Sequence, residues 1–132
     1  MDKTKIFNKL LADDFIGSKN FIRIHNEDQD CLGTTLVNSK GCEFTIAYQL
    51  YDNMEDFIEL YIEIHNRCSL EQLKVIAQKL IKRFNKRIDI YENDDNSYAY
   101  VCIFHLSELE QAIEMMKCIL EEVNNVIIFL IK

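Results

Sequence analysis

The sequence predicts an α+β fold, an antiparallel sheet of about six strands with helices at the N-terminus, middle and C-terminus in the order α-ββββ-α-ββ-α. Apolar and polar residues alternate with a period of two along residues 43–50 and 57–64. The spacing of apolar residues changes to 3.6 at Ser69 and again at Ser107. Clusters of Asn, Asp, Ser and Gly separate the segments. With 132 residues, 48% of them hydrophobic, and no low-complexity tract, the chain is expected to fold as one domain, 1–132.

Ile6, Phe7, Leu10 and Leu11 recur at helical spacing and predict an opening helix that ends before Gly17. Phe21-Ile22-Arg23-Ile24-His25 reads as a strand, followed by a polar turn over 26–30 and a second strand over 32–37. Asn38-Ser39-Lys40-Gly41 then supplies residues that tolerate the backbone angles of a hairpin turn. In the next strand Phe44, Ile46, Tyr48 and Leu50 share one face, and Glu43, Thr45, Ala47 and Gln49 the other. After a turn at Asp52-Asn53, Ile58, Leu60, Ile62 and Ile64 oppose Phe57, Glu59, Tyr61 and Glu63 in the same way. The apolar sets are expected to face a core, and the mixed sets water or a partner.

Ser69 with Gln72 resembles a capping box, and Leu73, Ile76, Ala77, Leu80, Ile81 and Phe84 form an apolar stripe behind it. Two strands, 87–91 and 97–106, are joined by polar residues 92–96 and predict a second hairpin. Ser107 with Glu110 suggests another capping box, opening a helix that carries Leu109, Ala112, Ile113, Met116, Leu120 and Val123 and stops at Asn124-Asn125. The apolar tail Val126-Ile127-Ile128-Phe129-Leu130-Ile131 fits a short buried strand, either added to the chain's own sheet or exchanged in a dimer.

A formal charge of -7 and a pI near 4.9 argue against broad binding to phosphate backbones or anionic membranes, both of which need clustered cations. Lys74, Lys79, Lys82, Arg83, Lys86 and Arg87 are a local exception. Their plainer reading is a solvated helix face whose cations suit the negative end of the helix dipole, and it is preferred to a nucleic-acid patch. The apolar run 126–131 is far shorter than the roughly twenty residues that span a bilayer. Five cysteines in no regular framework, Cys31, Cys42, Cys68, Cys102 and Cys118, behind an N-terminus unlike a secretory leader, lead us to expect free thiols and a cytoplasmic home.

Catalytic motifs are sparse. Gly17, Gly33 and Gly41 are too far apart for a phosphate-cradling loop, and no serine has the flanking glycines of a nucleophile elbow. His65 with Cys68, and Cys102 with His105, have metal-ligand residue types three positions apart. A straight strand turns Cys102 and His105 to opposite faces, whereas His65 and Cys68 lie in a strand-to-helix loop where chelation is geometrically open. Buried structural cysteines and surface histidines are the plainer account of both pairs. Carboxylate pairs such as Glu59/Glu63 and Asp94/Asp95 are what any acidic chain shows, so general acid–base chemistry is not favoured. No cofactor is expected.

The order helix, four strands, helix, two strands, helix resembles the type III secretion chaperone-like fold, a group that includes the YbjN proteins and the Tir-type chaperones. Residues 70–123 carry the resemblance: Leu80-Ile81-Lys82-Arg83-Phe84-Asn85 at a helix end, the hairpin from Arg87-Ile88-Asp89-Ile90-Tyr91 to Tyr98-Ala99-Tyr100-Val101, then Ser107 into the last helix. The resemblance implies a non-enzymatic binding module, often a homodimer, whose sheet and helix surfaces hold a partner polypeptide.

Independently of any family, the outer sides of the long strands set Phe57, Tyr61 and Tyr51 among Glu43, Glu59 and Glu63. Aromatics among acids suit a protein partner with apolar anchors and basic residues, because aromatic burial supplies affinity and charge steers encounter. The competing account is that these aromatics pack beneath the first helix or across neighbouring strands. The expected function is a protein-binding module of the chaperone, adaptor or inhibitor (immunity) type. A small Cys/His-dependent enzyme or metal-binding module, and a subunit assembled through the apolar tail, are the alternatives.

Overall fold

A computed structural model describes residues 2–65, 68–93 and 97–126. Two short helices, α1 (Lys3–Leu11) and α2 (Asp14–Ser18), precede four strands, β1 (Ile22–His25), β2 (Gln29–Val37), β3 (Glu43–Tyr51) and β4 (Phe57–His65). Helix α3 (Leu70–Phe84), strands β5 (Asp89–Glu92) and β6 (Ser97–His105), a single 3-10 turn (Leu106–Glu108) and helix α4 (Leu109–Val126) follow. The strands form one antiparallel six-stranded sheet in the order β1-β2-β3-β4-β6-β5, with all helices packed on one side. The predicted α+β class and element order are therefore observed.

The two-residue rhythm explains the core. Phe44, Ile46, Tyr48 and Leu50 of β3 and Ile58, Leu60, Ile62 and Ile64 of β4 are all buried, and meet Leu73, Ile76 and Leu80 of α3 and Ala112, Met115, Met116 and Ile119 of α4. Burying one such aliphatic side chain contributes about 1.5–3 kcal/mol, so the facing sets dominate the stability of the two layers. Buried hydroxyls are satisfied: Tyr100 Oη donates to the Leu73 carbonyl at 2.5 Å, and Tyr48 Oη lies 3.4 Å from the Ala112 carbonyl and 3.3 Å from Met116 Sδ.

Several local expectations shift by a few residues, each for a physical reason. The opening helix divides: Asp13 caps a new turn by accepting from Phe15 N and Ile16 N at 3.1 Å, and Gly17 lies inside that turn. A Cβ on Gly17 would come within 2.7 Å of the Leu11 carbonyl oxygen, so the glycine permits the close approach of α2 to the end of α1. Strand β2 begins at Gln29 within the expected turn, because its pairing with β3 extends as far as Gln29 opposite Tyr51. Strand β5 starts at Asp89 rather than at residue 87.

Ser69 and Gln72 form the expected capping box, and Asn85 closes α3 in the left-handed conformation at φ 53°. Ile81, counted in the apolar stripe, is exposed; Phe84 is half-buried. The second box forms two residues earlier than expected. His105 Nδ1 accepts from Ser107 N at 3.1 Å and Glu108 Oε1 from His105 N at 2.9 Å, which draws the chain into a 3-10 turn ahead of α4. Nor does Asn124-Asn125 stop α4, which continues to Val126. Asn38 Nδ2 donates to Asn124 Oδ1 at 3.0 Å and Lys40 Nζ to the Asn124 carbonyl at 2.7 Å, holding the last turn against the β2–β3 loop. That loop is the predicted hairpin turn, with Gly41 at φ 78°. The proposed strand over 126–131 lies outside the described residues beyond Val126, as do residues 94–96 of the second hairpin's loop.

Candidate functional site

With every helix on one side, the other side of the sheet is left uncovered by any described element. The register fixes which residues stand there: Glu43, Thr45, Ala47, Gln49 and Tyr51 from β3; Phe57, Glu59, Tyr61, Glu63 and His65 from β4; Val101, Ile103 and His105 from β6. All six residues singled out as partner-binding, Glu43, Tyr51, Phe57, Glu59, Tyr61 and Glu63, occur on this open face. Packing beneath the first helix is not their environment, because α1 sits on the opposite side, where Arg23 stacks over Phe7. Cross-strand contact is: Phe57 meets the His105 ring edge-on at 5.6 Å, and Tyr61 lies opposite Ala47 and Val101.

Polar side chains of the face form two networks. Tyr51 Oη donates to Glu59 Oε2 at 2.5 Å and lies 2.7 Å from Gln49 Oε1, which also accepts from Gln29 Nε2. Loss of solvent, followed by the adjacent Glu59 carboxylate, raises the Tyr51 hydroxyl well above the ordinary phenol range, so it remains a donor. In the second network Tyr61 Oη and Asn93 Nδ2 both donate to Glu63 Oε2, at 2.6 and 2.9 Å. His65 Nε2 stands 2.8 Å from Glu63 Oε1, 3.3 Å from Thr45 Oγ1 and 4.0 Å from Glu43 Oε2. These bonds hold Tyr51, Tyr61 and the central carboxylates in set positions on a rigid sheet.

Sequence reasoning missed the full extent of the face. Nine large hydrophobic side chains are exposed among the described residues, and six of them, Ile22, Ile24, Val37, Phe57, Tyr91 and Ile103, point to this side; Leu11, Val75 and Ile81 are the others. Ile22 and Val37 are 65% and 66% exposed. The alternation in Ile22-Arg23-Ile24-His25 carried the signal, but which of its sides is open depends on the pairing of Ile22 with Gly33 and Ile24 with Cys31.

A second cluster was also missed, and it belongs to the covered side. Asp30, expected in a turn, is 1% exposed on β2, with Arg23 Nη2 at 2.6 Å, His25 Nδ1 at 2.5 Å and Lys3 Nζ at 3.8 Å. Burial works to raise the Asp30 carboxyl, but the Arg23 and His25 bonds and the nearby cations outweigh it and hold the group below the usual carboxylate range. Lys3 also pairs with Asp52, and Arg23 Nη1 donates to Thr4 Oγ1 at 2.6 Å, so the cluster ties α1 to the sheet edge.

The candidate catalytic and metal groups are dispersed. Cys102 is buried on the core side and His105 exposed on the open side, as a straight strand requires. Burial pushes the Cys102 thiol up to about 12, and desolvation also raises Cys31, Cys68 and Cys118, which is the opposite of what a nucleophilic thiolate needs. His65 turns to Glu63 and Glu43 while Cys68 is half-buried, and among the described residues no three His, Cys, Asp or Glu side chains converge on a point that could hold a metal ion. On the helix side, a groove of about 350 Å3 between α2, the β2–β3 loop and α4 is lined by Phe15, Leu36, Phe44 and Leu120, with Lys19 and Glu121 at its rim. No helix of the described residues is long and apolar enough to cross a membrane. Of the cations near the end of α3, Lys79 pairs with Glu122 at 2.9 Å, Lys86 with Glu108 at 2.5 Å and Arg87 with Asp89 at 2.9 Å.

Comparison with family models, curated proteins and solved structures finds no significant match to this chain.

Proposed function

We propose that this chain is a non-enzymatic, cytoplasmic protein-binding module, a chaperone, adaptor or inhibitor of the immunity type, that engages a partner polypeptide through the open face of its sheet. One observation carries the reading: six of the nine exposed large hydrophobic side chains among the described residues share that face. Scattered apolar residues on a surface need no explanation, but six on one side of the sheet, with Phe57 and Ile103 diagonal neighbours on β4 and β6, favour an interaction surface. Phe57 and Tyr61 supply the aromatic anchors that dominate binding energy, and the hydrogen-bonded Tyr51, Glu59 and Glu63 supply an ordered polar surround. The resemblance of residues 70–123 to type III secretion chaperones supports the same class of function.

Affinity purification from the native host tests it. The Phe57→Ala/Tyr61→Ala double variant is expected to lose at least about tenfold of a co-purifying polypeptide, since truncating two anchors costs more than about 1.4 kcal/mol. Val75→Ala, at an exposed site on α3, is the control and should retain it. Equal recovery by all three proteins, with circular dichroism unchanged, would show that the face is not the docking surface.

A further inference from the structure

We infer that the polypeptide held by the open face is cationic, presenting Lys or Arg beside apolar side chains, and is not a second copy of this chain docked face to face; the inference rests on the docking reading above. The charges of the protein are sorted between the two sides of the sheet. Among the described strand residues turned to the open side, Glu43, Glu59, Glu63 and Asp89 are acidic and none is Lys or Arg. On the helix side, several lysines and arginines of the described residues are matched: Arg23 with Asp30 at 2.6 Å, Lys117 with Asp13 at 2.9 Å, Lys86 with Glu108 at 2.5 Å and Lys79 with Glu122 at 2.9 Å.

A neutral donor orients Glu59, and neutral donors contribute to the placing of Glu63. Glu59 accepts from the Tyr51 hydroxyl and Glu63 from the Tyr61 hydroxyl and the Asn93 amide, with His65 beside its other oxygen. Neutral donors fix a carboxylate's position without cancelling its charge, and Glu43 is half-exposed on the neighbouring β3, opposite His65. At the rim, Arg87 offsets Asp89. The open face of the described strands therefore sets carboxylates and no Lys or Arg beside Phe57 and Ile103, which protrude at 41% and 46% exposure.

Partner chemistry follows from complementarity. A cationic surface gains attraction on approach and gives these carboxylates charged partners when water is excluded, whereas an acidic or neutral one would strip them of water without replacement. A second copy docked face to face would oppose like-charged surfaces, and juxtaposed like charges suppress such pairings by several kcal/mol. Apolar contacts from Ile22, Ile24, Phe57 and Ile103 would then supply affinity, while charge selects the partner.

The test uses three designed strand peptides that alternate leucine with arginine, glutamine or glutamate, titrated into the isotopically labelled full chain. Amide shifts should move on β3, β4 and β6 with the arginine peptide alone, and its affinity should fall at least about tenfold between 50 and 300 mM salt through screening. Glu59→Gln/Glu63→Gln, which keeps the hydrogen-bonding shape, should weaken that peptide at least about fivefold and leave the folded spectrum intact. If the glutamine peptide binds the same strands equally well, the charge inference fails while the docking reading stands. If every peptide moves only helix-side amides, both fail. A salt-independent dimer whose contacts map to β3 and β4 would likewise overturn the exclusion of a second copy.

Discussion

Strand β4 builds two surfaces from the same nine residues, and they obey different rules. Its inward set, Ile58, Leu60, Ile62 and Ile64, is at most 2% exposed and packs beneath α3 and α4. The outward set, Phe57, Glu59, Tyr61, Glu63 and His65, keeps contact with solvent and is organised by side-chain hydrogen bonds rather than by a second layer. Burial leaves little chemical latitude on the first side. On the second, an aromatic or a carboxylate can persist only because it costs the fold little. Free-energy cost is thus what separates the side that makes the protein from the side available for recognition.

Mutations should divide along that line. The largest effect is expected for Ile62→Ala, which removes a fully buried side chain from the centre of the sheet and should cost about 2–5 kcal/mol in urea unfolding, with the midpoint moving and the slope unchanged. A loss below about 1 kcal/mol would mean that the helix layer collapses onto the vacancy and the inner face is less rigid than described.

Asp30→Ala comes next, at about 1.5–3 kcal/mol, because it strands Arg23 and His25 beside an emptied site. Solvent reaching the largely exposed His25 screens the cluster and keeps the figure below that of a fully enclosed pair. The sign with pH follows from the lowered carboxyl. Its contribution is complete above the ordinary value of 3.8 and drains away as pH falls through the lower folded value, so the difference between wild type and variant should shrink below about pH 4. A difference that grew on acidification would reverse the assignment of Asp30 as the ionised member.

Phe57→Ala should have the smallest effect on the fold, within about 0.5 kcal/mol, despite removing the larger side chain. Should it rival Ile62→Ala, the open face would be part of the folding core and unsuited to the role proposed for it.

Legibility in the sequence followed the range of the interaction. The inward sets of β3 and β4 were readable because a period of two is a property of consecutive residues, and so were Ser69 with Gln72, whose capping box spans one turn. The six candidate residues could be placed on one side of two strands by the same rule. Ile22, Ile24, Val37 and Ile103 could not be added to them, since nothing local ties β1, β2 and β6 to that side. Asp30 looks like a turn residue in the sequence for the same reason: its partners reach it across a strand pair and from α1.

The amino-acid order by itself determined the α+β class, the succession of elements and the apolar set of each long strand, because backbone geometry repeats every two or 3.6 residues and side chains must follow it. Only the tertiary structure decided that β6 inserts between β4 and β5, that the described helices gather on one side, and that α4 continues through Asn124-Asn125, where Asn124 meets Asn38 and Lys40. Those outcomes depend on contacts between residues far apart in the chain, whose energies no local rhythm encodes.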